Sequence, residues 1–360
     1  MFPRTEAHSV IDSSKLGEFK DCARKFLWEY ILHIRTESPS IHLEFGTAWH
    51  YAKEHLLLNG YTPAIQDEAY GMFLEHYRKS FPESSDLVMA PKSPAYAKQA
   101  IRSYCEQYAM TNSTFNVIAT EIAGRVMVGE NRYLTFKMDA IVENSEGIWA
   151  LDHKTGSRDT RAWDLSWSLS SQMSCYTHAL ASYFDPEKVQ GALIDGTIFR
   201  KMGELHKRIP ARRSLLSMRN WIANVNYWFD RMEDDWEELD EEFSAIQSTI
   251  GPDEYLVAFP QNDKSCTKYG ECQYLDFCVG NVHPLKYVEH TPRGFARNVW
   301  NPLAPPDDKW VPKKILENGV LRDPSQDELK KYTDAVDVPF IMPNPTEFTF
   351  GGFTRNGEEL

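Results

Sequence analysis

Three consecutive strand-like runs, NVIATEIAGRVMV, RYLTFKMDAIVE and GIWALDHKT, constrain this chain more than any other feature. They are rich in β-branched and aromatic residues, and turn residues separate them at Gly129-Glu130-Asn131 and Asn144-Ser145-Glu146-Gly147. This pattern predicts an antiparallel meander. Asp139 ends the run Leu134–Met138 and Asp152 follows Ile148–Leu151, at positions where a core strand should reject charge. On antiparallel strands joined by a short turn, two such positions can lie side by side. Lys154 lies two residues beyond Asp152 and so points to the same face. Glu121, on the preceding strand, can join them. Carboxylates gathered this closely repel unless a cation neutralises them. Hard oxygen ligands suit Mg²⁺ or Mn²⁺, which polarise a phosphoryl oxygen and lower the pKa of a bound water. Lys154 is suited to orient the attacking water or to stabilise charge on the phosphorus oxygens. The competing reading is an exposed hairpin edge with ordinary charges, since a lone D-x-K is common.

The surrounding chain reads as mixed α and β. Asp12-Ser13-Ser14 resembles a helix N-cap, and Leu16, Phe19, Phe26, Leu27 and Tyr30 recur at helical spacing, predicting a helix over about 14–32. A second helix is expected from near Gly46, carrying Trp49, His50 and Glu54. Two or three more are expected over about 64–111, punctuated by Pro82, Pro91 and Pro94. After the meander come a helix over about 162–184, a strand at 189–199 and a short strand near Leu205. A long helix follows over about 214–249, its apolar residues stepping by three or four from Trp221 to Ile246. Residues 281–360 hold ten of the 20 prolines. They read as a loosely structured C-terminal extension with one helix near 325–336.

The ordered set Glu121, Asp139, Asp152-x-Lys154 and Gln172-x-x-x-Tyr176 resembles the PD-(D/E)XK nuclease superfamily. Within it, the chain is similar to the RecB-like exonucleases, including CRISPR-associated and phage members. Gly46-x-x-x-His50 resembles that branch's upstream histidine motif. The resemblance implies an α/β (α+β) fold with a restriction-endonuclease-like core, in which helices flank a mixed central sheet and a helical part is inserted. It implies a nuclease domain over 1–280: a helical part at about 51–112, a catalytic core at about 113–210, the long helix, and a cysteine-rich staple at 266–278. It also implies that His50, Asp139 and Asp152 are metal ligands and Lys154 the catalytic lysine, with Glu121 the first acid of the core. Gln172 and Tyr176, one helical turn apart, face the site together. The third motif reads Asp-His-Lys where the superfamily pattern has Glu-x-Lys, a variant shared by RecB-like members.

Cys266, Cys272 and Cys278 stand at equal intervals and Cys22 far upstream. A zinc site more often shows cysteine pairs two to four residues apart, which this spacing lacks. Three close thiolates and one remote one can ligate a [4Fe–4S] cluster, and zinc or no metal are the alternatives. The arrangement resembles the iron staple of AddB-type nucleases, where a cluster ties the ends of the domain together. Cys105 and Cys175 read as core residues.

The formal charge of −13 argues against a protein that coats nucleic acid non-specifically. Eight of the ten positions from Glu233 to Glu242 are acidic, and they read as a solvated helix face. Arg200, Lys201, Lys207, Arg208, Arg212 and Arg213 crowd one segment and are a candidate DNA-backbone contact, or simply a solvated hairpin. No stretch approaches a transmembrane helix. No export signal opens the sequence, so a cytoplasmic, reducing compartment is expected (a host cytoplasm if the chain is phage-encoded). The combined expectation is a Mg²⁺- or Mn²⁺-dependent deoxyribonuclease. The resemblance implies an exonuclease preferring single-stranded DNA ends. Without a Walker motif, a helicase or recombination partner is expected for any ATP-driven unwinding. The rivals are a non-catalytic DNA- or partner-binding protein and a structure-specific endonuclease of the same fold.

Overall fold

The computed structural model describes residues 1–245, 255–268, 270–300, 312–317, 320–326 and 329. The strands are β1 (Ile34–Thr36), β2 (Asn116–Gly129), β3 (Arg132–Asn144), β4 (Gly147–Gly156), β5 (Val189–Arg200), β6 (Gly203–Ala211), β7 (Phe295–Arg297), β8 (Lys314–Glu317) and β9 (Val320–Arg322). Among the described residues, seven of them form one mixed sheet in the order β6-β5-β4-β3-β2-β8-β9. The expected meander is its centre, with β2–β3 and β3–β4 antiparallel. β4 and β5 run parallel, which demands a crossover. Helices Arg161–Ser166 and Ser171–Tyr183 supply it.

Both faces of the sheet are covered, as a mixed α/β architecture requires. On one face, side chains such as Leu134, Met138, Ile141 and Ile194 pack with Leu16, Met173, Leu180 and the apolar stripe of helix Leu215–Ala245. On the other, Trp149, Leu151 and Leu193 form a smaller cluster with Leu57. Helices Ile41–Asn59, Pro63–Tyr77 and Pro94–Asn112 pack through Phe45, Trp49, Phe73, Tyr77 and Tyr104, and Phe199 of β5 joins their core. The inserted helical layer is thus fastened to the sheet. No helix among the described residues is long and apolar enough to cross a membrane.

Several expected boundaries are corrected. The single helix over 14–32 is three pieces. Helix Ser13–Asp21, capped by Asp12 (Lys15 N–H to Oδ1, 2.7 Å), stops at Cys22, which is extended. Ala23–Phe26 and a π-helical turn, Leu27–Ile31, then continue the path. The break follows from tertiary bonds that helical periodicity does not encode. Arg24 N–H donates to Pro260 O (3.1 Å), and the buried guanidinium donates to Phe259 O (2.8 Å) and Leu256 O (2.7 Å). The His50 helix begins at Ile41 rather than near Gly46. The expected helix over 162–184 is interrupted at 167–170, where Thr160 and Ser170 cap separate segments. The strand near Leu205 is nine residues long. The long helix is described as far as Ala245. The proline-rich tail contributes β7, which pairs with β1, and β8–β9, which extend the sheet beside β2. The helix expected near 325–336 lies largely outside the described residues.

Near the N-terminus, His8 and His33 stack at 4.9 Å between ring centroids, Nε2 to Nε2 at 3.0 Å. His8 Nδ1 accepts the Thr5 N–H (2.9 Å), so its proton sits on Nε2, facing Ile31 O at 3.1 Å. Burial pulls His8 down to about 4 and His33 to about 3, with the neighbouring positive groups adding to the effect. The unfolded chain therefore takes up these protons first, and stability present above pH 6.5 is lost as the pH falls towards 4. For His8 alone the loss is on the order of 3 kcal/mol. Urea titrations at pH 7 and pH 4.5 should show His8→Gln losing less stability on acidification than the wild type. An equal loss would remove the pair from the account.

Candidate active site

The site forms where two strands part. The last paired rung of β3 and β4 is Ala140 opposite Leu151. One step further stand Asp139 and Asp152. Beyond that rung β4 keeps pairing only with β5, through Asp152–Ile194, His153–Asp195 and Lys154–Gly196. The His153 backbone is therefore left open on the β3 side, where a buried polar group needs a partner. Asp139 Oδ2 accepts the His153 N–H (2.6 Å), and His50 Nε2–H donates to His153 O (2.7 Å). That bond orients the His50 ring and aims Nδ1 at Asp139 Oδ1, 3.3 Å away.

Electrostatics bind the group together. Asp152 is buried, and Lys154 Nζ lies 2.7 Å from its Oδ2, an atom without a hydrogen-bond partner of good geometry. Burial raises the Asp152 carboxyl above the usual range, and the Asp139 charge adds to this against the opposing pull of Lys154. Burial acts on Asp139 in the same sense, but His50, His153 and Lys154 outweigh it and hold that carboxyl below the usual range. His50 is pushed up to about 9, since Asp139 overcomes the effect of burial. Lys154 is likewise raised, the two aspartates prevailing over burial. In the unliganded site the charged forms of His50, Lys154 and Asp139 are thus favoured, while burial works against the charge on Asp152.

Helix Ser171–Tyr183 carries Gln172 and Tyr176 into the same place. Gln172 Nε2 donates to the Tyr176 hydroxyl (2.9 Å), which donates to Lys137 O beside Asp139. Burial raises the Tyr176 phenol well above its usual value, and Asp152 and Asp139 raise it further. The Trp163 ring lies against the backbones of Gly156 and Gly196; a Cβ at Gly196 would collide with it, and one at Gly156 would collide with Ile198 and crowd the ring. The chain leaving Lys154 is thereby held down on the sheet.

Six of the expected residues, His50, Asp139, Asp152, Lys154, Gln172 and Tyr176, are brought together. Glu121 lies across from Asp139 in the β2–β3 register, between the rungs Thr120–Ala140 and Ile122–Met138, and its charge acts on Lys137 together with that of Asp12. Its backbone is left-handed (φ 49°), and its carbonyl accepts the Lys313 N–H (3.1 Å) next to β8. The basic segment is largely consumed internally. Lys207 pairs with Asp159 and Asp164, Arg212 with Glu146 (2.9 Å), and Arg208 lies 3.5 Å from the buried Asp195. Arg213 donates to Ser174 Oγ and Trp167 O (2.9 Å each), and Arg200 to Gly203 O (3.3 Å). Lys201 is exposed. The physical reason is that the carboxylates of Glu146, Asp159, Asp164 and Asp195 reach the side chains along this edge hairpin, β5–β6.

Cys22, Cys266, Cys272 and Cys278 line one small cavity with Lys25, Trp28 and Tyr274. Burial pushes the Cys278 thiol up to about 11 and raises Cys272. Cys105 and Cys175 are buried elsewhere, as expected of core residues. Among the described residues, no group of three His, Cys, Asp or Glu side chains is gathered closely enough to hold a metal ion, at the cysteines or at the aspartates.

A family model for the PD-(D/E)XK nuclease superfamily matches residues 13–279, and the chain belongs to that superfamily. Its mixed sheet flanked by helices is consistent with the restriction-endonuclease-like fold of that family, and membership supports a metal-dependent nuclease with DNA as its substrate. Among solved structures, one described as "Crystal structure of SSO0001" is similar at 12% identity and a TM-score of 0.26, over 62% of this chain and 78% of that one. No curated protein matches.

Proposed function

We propose that this chain is a Mg²⁺- or Mn²⁺-dependent deoxyribonuclease, an exonuclease acting on single-stranded DNA ends. The observation that carries this reading is the pair Asp139 and Asp152 at the parting of β3 and β4, with His50 and Lys154 against them. The donor set has the chemistry that a hard divalent ion takes, two carboxylates and an imidazole Nδ1, although in the metal-free site these groups are not gathered to bonding geometry. His50, Asp139 and Asp152 would hold it. Such an ion supplies Lewis-acid polarisation of the phosphodiester and a nucleophile at neutral pH. Lys154, kept protonated by the two aspartates, presents a positive charge where negative charge builds on the phosphorus oxygens. Gln172 and Tyr176 orient the phosphate or the attacking water. Cys22, Cys266, Cys272 and Cys278 would hold a [4Fe–4S] cluster with a structural role, a reading that rests on the cysteine spacing and the family resemblance; the four residues line one cavity but are not gathered closely enough to hold a metal there. A helicase would be the partner for duplex substrates.

The test is digestion of 5′- and 3′-labelled single strands and of closed circles, on anaerobically prepared protein, with Mg²⁺, Mn²⁺ or EDTA. The expected result is metal-dependent loss from ends, with circles intact. Cutting of circles would favour an endonuclease, and inertness with every metal would favour a DNA-binding protein. The same preparation should be brown and hold about four iron and four sulfide per chain. A colourless, zinc-containing sample would remove the cluster.

A further inference from the structure

His153, the middle residue of Asp-x-Lys, ties the metal-ligating side chains together through its backbone. Its N–H bonds Asp139 and its carbonyl bonds His50. Its own side chain points away from Asp152 and Lys154, to the sheet face under the inserted helices. There its Nδ1–H meets Asp195 Oδ2 at 3.1 Å, directly across the β4–β5 rung. Asp195 Oδ2 also takes Lys53 Nζ (2.8 Å) and the Tyr104 hydroxyl (2.8 Å), while Arg208 Nε lies 3.5 Å from Oδ1. His153, Asp195 and Lys53 are each exposed by 2% or less. Lys53 lies three residues beyond His50 on helix Ile41–Asn59, so its ion pair also fixes how that helix presents His50 to Asp139.

We infer that Asp195 is a positioning residue for the metal site, acting through the His153 side chain and through Lys53 to hold Asp139 and His50 in place. This rests on the metal-ligand reading of those two residues. A carboxylate buried merely to neutralise Lys53 would not need the imidazole of the residue whose backbone serves both ligands. Partners of this kind typically change metal affinity by about 10–100-fold when removed.

The experiment measures Mn²⁺ binding to the full chain by electron paramagnetic resonance of the free ion, without DNA. His153→Leu leaves the Lys53–Asp195 pair intact and removes only the tether. Its Mn²⁺ affinity is expected to fall by about 10-fold or more, with metal-free melting within a few degrees of wild type. His153→Asn puts Nδ2–H where Nδ1–H stood and is expected to restore most of the affinity. Adding Asp195→Asn to His153→Leu should lower the affinity further, because the Lys53 arm is still in place in the single variant. Wild-type affinity in His153→Leu, no recovery in His153→Asn, or a His153→Leu chain that fails to fold would each overturn the inference. If the wild type binds no Mn²⁺, the nuclease reading itself falls. If it binds and the variants match it, only the role of Asp195 falls.

Discussion

Asp152→Asn is expected to reduce metal-dependent DNA cleavage by about 1,000-fold or more while leaving the metal-free protein at least as stable as wild type. The activity loss follows from removing a ligand and from freeing Lys154 of the carboxylate that orients it at 2.7 Å. The stability effect follows from the opposite ledger. Asp152 is buried, its carboxyl is raised above the usual range, and Asp139 repels it. A fold that disfavours the charged form of a side chain gains no stability from that charge. An isosteric amide removes that charge. Lys154 loses its partner but retains 23% side-chain exposure and a route to water. Paired cleavage assays and thermal melts in EDTA read both effects. A variant that loses activity because it unfolds would contradict this account, since the site would then be supporting the fold rather than straining it.

Arg24→Met is expected to destabilise the protein by about 3 kcal/mol, the largest effect outside the site. The guanidinium donates to Phe259 O (2.8 Å), Leu256 O (2.7 Å) and Ala258 O (3.4 Å), all buried. Methionine matches its stem but leaves these carbonyls without the charge-assisted bonds. The contact joins residues 235 apart in sequence, immediately beside Cys22 and the loop bearing Cys266. Arg24 therefore closes the domain independently of any metal. Urea unfolding of protein prepared without iron should show the loss. If Arg24→Met destabilises only the iron-loaded protein, the closure belongs to the cluster alone.

The residues of the candidate site were legible in the sequence from two local signals. Asp139 and Asp152 interrupt apolar strand runs, and Gln172 and Tyr176 keep helical spacing. Asp195 gives the first signal again inside VQGALIDGTIF, as does Lys53 within an apolar helix. The signal that would have found them was present, but its meaning lay in a pairing between β4 and β5 that no local pattern specifies. The breaks at Cys22 and at 167–170 were invisible for a related reason. Periodicity continues across both; after Cys22 the distant Pro260 carbonyl accepts the Arg24 N–H, and at 167–170 the distant Arg213 guanidinium takes the Trp167 and Ser170 carbonyls. Strands β7, β8 and β9 were missed because three or four residues beside prolines carry almost no pattern, and pairing with β1 and β2 creates them. The basic segment shows the same limit at one residue. Its charges read as a surface, yet strand alternation in β6 turns Arg208 inward to Asp195.

The most direct test of the shared-cation site is a crystal of the wild type soaked in Mn²⁺ and measured at the manganese edge. A single anomalous peak within bonding distance of Asp139, Asp152 and His50 Nδ1, lost in Asp139→Ala, is the expected result. Manganese bound elsewhere, or no peak between the two carboxylates at saturating Mn²⁺, would contradict it.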